Sequence, residues 1–234
     1  MLTAFGSRVR AWARAREAGT LAALLLAAGG VWLFLEIADE VLEGDTTTVD
    51  EQLLLMLRAP TDSSDPLGPP WVEDLARDIT GVGGAAVLTL LTAASAGFLA
   101  LQRKRHLALY VLAAVASGML VSTLLKMGFD RPRPDLVPHG QIVYTSSFPS
   151  GHSMLSAVAF LTLGALLASS QMNFRLRAYL IGVAVFLTVL VGVSRVYLGV
   201  HWPTDDLAGW TAGAAWALVC WALAEKLRRR GTVE

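Results

Sequence analysis

Six stretches of roughly 20 mostly apolar residues run through this chain, at 20–38, 80–101, 107–127, 152–170, 178–198 and 205–224. A segment of about that length crosses a bilayer as a helix, and a backbone in lipid has to satisfy its own hydrogen bonds, which favours the helix. The chain therefore reads as an all-α integral membrane protein with six transmembrane helices. Its charged fraction of 16% agrees, since soluble domains carry roughly 25%. The second stretch, GVGGAAVLTLLTAASAGFLAL, is rich in Gly and Ala, as helices packed on other helices in lipid often are. The first follows Arg8, Arg10, Arg14 and Arg16 and so resembles a secretory signal. Its apolar run is longer than a signal core, and LFLEIADEV offers no small-residue cleavage site. It is expected to remain as the first helix. Cys220, the single cysteine, excludes an internal disulfide or a Cys-based metal cluster. Lying in an apolar run, it reads as a small buried hydrophobe.

Positive charge orients the bundle. All of the 19 Lys and Arg except Arg58, Arg77, Lys126, Arg131, Arg133 and Arg195 fall in 1–19, 102–106, 171–177 and the C-terminal tail. Six alternating helices put those four segments on one side, the cytoplasm, with both termini. The other face receives 39–79, 128–151 and 199–204. The first of these is strongly acidic, and TTTVDEQLLLMLRAP within it reads as a short extracytoplasmic amphipathic helix with Val49, Leu53, Met56 and Leu57 on one face. It either lies in the membrane interface or packs on the bundle. TDSSDPLGPPWVED reads as a loop with Trp71 as an interfacial anchor. The whole, 1–234, is expected to be one domain.

The outer cations break the charge bias, and they sit in clusters. KMGFDRPRP carries Lys126, Arg131 and Arg133; PSGH spans 149–152; SRVYLGVHWPTD spans 194–205. Arginine is a planar fork suited to phosphate oxygens, and lysine a point charge. Pro149 suits a helix start, Gly151 lets a ligand approach the backbone, and the free N–H groups there favour an anion. His152 and His201 are available for nucleophilic and acid–base work. Asp205, four residues after His201, can reach back to one ring nitrogen, fix its tautomer and leave the other free to attack. Each cluster has a plainer reading, as a structural histidine, a snorkelling base or a stiff turn. Three of them on one face make the inventory that phosphoryl transfer needs.

These residues resemble the type 2 phosphatidic-acid phosphatase superfamily of membrane lipid phosphatases. Its tripartite signature is Lys, six residues, Arg-Pro; Pro-Ser-Gly-His; and Ser-Arg, five residues, His, three residues, Asp. Lys126 with Arg133-Pro134, Pro149-Ser150-Gly151-His152, and Ser194-Arg195 with His201 and Asp205 match every fixed position across 126–205. The resemblance implies that His201 is the nucleophile, forming a phosphohistidine, and that Asp205 orients it. His152 would protonate the leaving group, with Lys126, Arg133, Ser150, Gly151 and Arg195 holding the phosphate. It implies no metal and no other cofactor, and no compact Asp/Glu/His set appears in the sequence. Arg131 lies outside the signature and either aids a headgroup or flanks the site. Asp206 either caps the helix start or tunes His201. GWTAG at 209–213 has the spacing for close helix packing, within the chain or in a dimer.

The expected activity is hydrolysis of a lipid phosphate or pyrophosphate at the outer face of a bacterial cell membrane. Undecaprenyl pyrophosphate is the first choice of substrate, ahead of phosphatidylglycerol phosphate or phosphatidic acid. A lipid phosphotransferase would use the same nucleophile, and a non-catalytic anion-binding transporter would use the same cations. The expected partners are the lipid substrate and the surrounding membrane lipids, with a monomer favoured and no nucleic acid. The side walls of the pocket are expected from 39–79 and 135–148.

Overall fold

The computed structural model describes residues 2–139 and 145–229. Residues 140–144 of the expected side wall and Arg230 lie outside them, as do the side chains of Arg8, Arg10, Arg14, Arg16 and Arg229. In chain order the elements are α1 (Leu2–Glu43), α2 (Thr47–Leu55), β1 (Arg58–Ala59), β2 (Asp62–Pro66), α3 (Pro70–Val82), α4 (Ala85–Leu101), α5 (Arg105–Gly128), α6 (Gly151–Ser169), α7 (Phe174–Tyr197) and α8 (Pro203–Arg229).

Five helical stretches are individually long and apolar enough to span a membrane: Glu17–Glu43 of α1, then α5, α6, α7 and α8. The sixth span is a bent pair. The segment read as one helix over 80–101 is broken at Gly83–Gly84, and α3 and α4 meet there at 50°. At 17 residues and about 1.5 Å per residue, α4 alone falls short of a hydrocarbon core of about 30 Å, and only the bent pair α3–α4 has the length and apolar character of a sixth span. The loop expected over 61–74 is also corrected. Asp62–Pro66 pairs antiparallel with Arg58–Ala59, and α3 starts at Pro70, where the ring costs no intrahelical bond. Trp71 stays exposed, as an anchor requires.

The central helix is α6, 56% buried where the other four single-helix spans are 22–33% buried. It packs on α7 and α8, with α4 and α5 behind it, and α1 lies along α8. Leu88, Val115, Val158, Phe160 and Val191 join α4 to α7 around it. Leu25, Leu90, Phe98, Leu109 and Phe186 stay exposed on the outer surface, where lipid takes the place of a core. The GWTAG spacing is used within the chain. A Cβ on Gly209 would lie 2.6 Å from the Ser150 carbonyl oxygen, and one on Gly213 would lie 2.5 Å from that of Met154.

Of the two readings for α2, packing on the bundle holds, but through the other face. Asp50 and Leu54, one turn apart, are buried, whereas Val49, Leu53 and Met56 of the expected apolar face are exposed and its fourth member, Leu57, is half-buried against the core. With six spans, the ends of α1, α5 and α7 and the starts of α3, α6 and α8 gather at one end of the bundle. Phe148 stacks on Phe34 of α1 at 5.9 Å and meets Phe129 edge-on at 4.8 Å. That aromatic trio fixes two motif-bearing loops to α1.

Candidate active site

The start of α6 is an anion site by backbone accounting. Ser150 caps the helix, its Oγ accepting the Ser153 N–H at 3.4 Å, while its carbonyl accepts the Met154 N–H at 3.0 Å. The N–H groups of Gly151 and His152 then have no partner inside the helix, at the positive end of its dipole. Gly151 has a further reason to lack a side chain. A Cβ there would meet Cε of Lys126 at 3.2 Å and Oγ of Ser122 at 3.7 Å. The close approach needed at Gly151 is thus to the lysine, which crosses the helix start and donates from Nζ to the Ser146 carbonyl at 2.9 Å.

His201 sits on the turn between α7 and α8 and is 1% exposed. Its Nδ1 lies 3.3 Å from Oδ2 of Asp205, and its Nε2 lies 3.1 Å from Nη1 of Arg133. A guanidinium only donates, so Nε2 is assigned as the acceptor and Nδ1 as the protonated nitrogen donating to Asp205. Burial pushes the imidazole down to about 3. The hydrogen bond and charge of Asp205 oppose the shift, and Arg195 and Arg133 add to it. At neutral pH the ring is uncharged and keeps its lone pair.

Asp205 has little freedom. Its Oδ2 also accepts the Trp202 N–H at 2.9 Å and the Ser147 hydroxyl, and its Oδ1 accepts Arg131 Nη1 at 2.7 Å. Arg133 is held by its Nε on the Thr145 carbonyl at 2.9 Å and by its Nη2 on Thr145 Oγ1 at 3.2 Å. Burial lowers its pKa, and Asp205 and Asp206 oppose that. Arg195, 1% exposed in the last turn of α7, donates to Thr80 Oγ1 of α3 at 3.0 Å. His152 lies beside Gly84, where an added Cβ would stand 3.9 Å from its Nε2. It is within electrostatic reach of Arg195, Lys126 and Arg133.

All eight residues singled out in the sequence (Lys126, Arg133, Ser150, Gly151, His152, Arg195, His201 and Asp205) therefore stand at one end of the bundle. A cavity of about 640 Å³ opens beside Lys126, bordered by Thr123, Phe129, Asp130, Thr145 and Ser146. Among the described residues no group of three His, Cys, Asp or Glu is placed to hold a metal ion.

Three participants were not foreseen in these positions. Arg131 reaches inward to Asp205 rather than out to a headgroup. Asp50 of α2 accepts its other arm at 2.7 Å, and Ser147 contacts Asp205. In the sequence Asp50 is one acid among many in 39–79, and Ser147 one serine before a motif, so neither stood out. Asp206 accepts the Ser153 hydroxyl and ties α8 to the start of α6.

The family model described as PAP2 superfamily matches residues 107–229. Phosphatidylglycerophosphatase B of Bacillus subtilis is 33% identical over 165 residues, covering 68% of this chain and 79% of that protein. An undecaprenyl-diphosphatase of Sulfolobus acidocaldarius is 41% identical over a shorter stretch, 68 residues, or 29% of each chain. The crystal structure of the transmembrane PAP2-type phosphatidylglycerolphosphate phosphatase from Bacillus subtilis superposes with a TM-score of 0.72 at 27% identity. It covers 87% of this chain and 98% of that one.

Proposed function

Because the chain belongs to the PAP2 superfamily of membrane lipid phosphatases, we propose that it hydrolyses a lipid phosphate through a phosphohistidine on His201, at the outer face of the membrane. The observation that carries this reading is the placement of His201, with Nδ1 3.3 Å from Asp205 Oδ2 and Nε2 3.1 Å from Arg133 Nη1, which assigns the proton to Nδ1 and the lone pair to Nε2. Nε2 attacks phosphorus, the bond from phosphorus to the lipid oxygen breaks, and His152, which takes up a proton when the anionic phosphate enters beside it, gives that oxygen its proton. Neutral His152 then takes a proton from water, which attacks phosphorus, breaks the P–N bond and returns His201 to its starting form. Lys126, Arg133, Arg195 and the N–H groups of Gly151 and His152 face the phosphate oxygens and the charge that spreads over them. Ser150 contributes through the helix start that it caps. No metal takes part in these steps.

Phosphatidylglycerol phosphate is the substrate best supported, by a relative aligned over most of both chains and by the structural likeness. Undecaprenyl pyrophosphate, the preference from sequence, is supported by an Escherichia coli protein named "Putative undecaprenyl-diphosphatase YbjG", 31% identical over 72% of this chain and 83% of that protein, and by a relative aligned over a shorter part; the structural likeness is what puts phosphatidylglycerol phosphate first. The positive flanks 1–19, 102–106 and 171–177 support cytoplasmic termini and an outward site.

The test is phosphate release by purified protein from both lipids with a chelator present. His201→Ala should abolish it while the melting temperature holds. A labelled, acid-labile phosphoryl adduct should form in the wild type and be missing from that variant. Full activity of His201→Ala overturns the mechanism. Substrate access in spheroplasts, compared with inverted vesicles, tests the orientation.

A further inference from the structure

The short helix α2 lies outside the signature, yet it reaches the catalytic pair through buried charge. We propose that Asp50 and Arg131 are positioning residues: α2 sets the orientation of Asp205, and through it the imidazole of His201. This rests on the phosphatase reading given above.

Oδ2 of Asp205 is shared among His201, Trp202 and Ser147, while Oδ1 accepts Arg131 Nη1 at 2.7 Å. The rotation of the carboxylate is therefore set largely by the guanidinium. Its second arm donates to Oδ2 of Asp50 at 2.7 Å and to Thr46 Oγ1 at 3.2 Å, both from the α2 end of the chain. Asp50 and Asp205 are fully buried, and Arg131 keeps 12% exposure. Asp50 also accepts the Thr204 N–H at 3.0 Å and the Thr204 hydroxyl at 2.6 Å. It thereby satisfies an orphan donor in the first turn of α8, the turn that carries Asp205. The Trp202 ring, 5.7 Å from the guanidinium carbon, lies against the same group.

The arrangement is two buried carboxylates sharing one planar cation. Without Asp50, Arg131 loses its only other carboxylate among the described residues, α8 loses a cap, and the fork is left to Asp205 and the hydroxyls of Thr46 and Thr204. Holding α2 on the bundle does not require this route, because Leu54 is already buried against Val137, Val196 and Trp202. Arginine is suited to the bridge, since its fork serves two carboxylates at fixed angles where lysine is a single point charge. Residues that orient a ligand or catalytic group in this indirect way typically change activity by about 10- to 100-fold.

The experiment uses the full chain in lipid nanodiscs with phosphatidylglycerol phosphate as substrate. Asp50→Asn and Arg131→Lys should each lower kcat by about 10-fold or more while KM stays within about twofold. In an Asp205→Asn background the same changes should cost less than about twofold, because their route to His201 is already cut. Equal losses in both backgrounds overturn the proposal. So does a lower melting temperature with kcat per folded molecule unchanged. Imidazole ¹⁵N shifts, assigned with His201→Ala, read the coupling without turnover. The wild type should show a single Nδ1–H tautomer, and Asp50→Asn or Arg131→Lys a mixture. An unchanged tautomer in both variants overturns the proposal. A wild type inert on every lipid phosphate overturns the phosphatase reading, and the tautomer measurement then decides this one.

Discussion

Nη1 of Arg133 lies 3.1 Å from Nε2 of His201 and faces the lone pair that the proposed mechanism uses to attack phosphorus. A phosphate oxygen is a stronger acceptor for guanidinium than a neutral imidazole is. Substrate binding should therefore draw Arg133 onto the phosphate and free the nucleophile at the same moment. Arg133→Lys keeps the charge and loses the fork. Removing one such donor costs about 10²–10³ in rate, so kcat/KM should fall about 100-fold with the melting temperature nearly unchanged. Near-normal steady-state activity would show that Arg133 does not hold the phosphate.

Gly151→Ala tests the lysine rather than the histidines. The new methyl group would press on Cε of Lys126 at 3.2 Å, and the far end of a flexible side chain can move. The fold should survive, but Nζ should leave its place near the Ser146 carbonyl. The expected outcome is a rise in KM of about 10-fold, the scale of one misplaced charge-assisted contact of about 1.5 kcal/mol, and a melting temperature within a few degrees of wild type. A large loss of thermal stability with unchanged KM would contradict this role for Gly151.

The buried imidazole also ties stability to pH. The folded pKa of His201 is held at about 3 by burial, below its ordinary value of 6.5. Between those values the unfolded chain binds a proton that the folded chain refuses. Stability therefore falls as pH drops through that window and is regained above 6.5. The melting temperature of wild type should decline from about pH 7 to pH 4, and His201→Gln should decline less over the same range. Parallel curves for the two proteins would refute the assignment.

Much of this candidate site could be read in the sequence, because the residues it gathers stand at short local spacings. Asp205, four residues after His201, falls in the first turn of the helix that His201 precedes, and Pro149-Ser150-Gly151-His152 is a helix start whichever helices surround it. What escaped was long-range. Asp50 is separated from Thr204 by 154 residues, and nothing local distinguishes it from its acidic neighbours. The face of α2 was misread for the same reason. The apolar face was read as turned either to the membrane interface or to the bundle, whereas a buried charge with two partners turns Asp50 in and leaves Val49 and Met56 outside. The break at Gly83–Gly84 was hidden within a continuous apolar run, where hydropathy alone cannot register a bend.

The α6–α8 contact separates stability from catalysis at two glycines one helical turn apart. On Gly213 an added Cβ would lie 2.5 Å from the Met154 carbonyl oxygen and 2.7 Å from Cβ of Ala157. Neither neighbour can swing away as a side-chain tip can, so α8 has to move. Overpacking of this kind costs about 1–3 kcal/mol, and Gly213→Ala should lower the melting temperature by several degrees while leaving most of kcat. On Gly209 the clash is with the Ser150 carbonyl at 2.6 Å and the Met154 N–H nitrogen at 3.1 Å, the first hydrogen bond of α6. Gly209→Ala should cost similar stability, but it also displaces the turn that presents the Gly151 and His152 N–H groups. Its kcat/KM should therefore fall about 10-fold further than that of Gly213→Ala, less than the roughly 10²–10³ of outright loss of a donor, because the N–H groups are displaced and not removed. Thermal unfolding and steady-state kinetics on the two variants side by side test this. If both lose activity equally, the start of α6 is not the phosphate site.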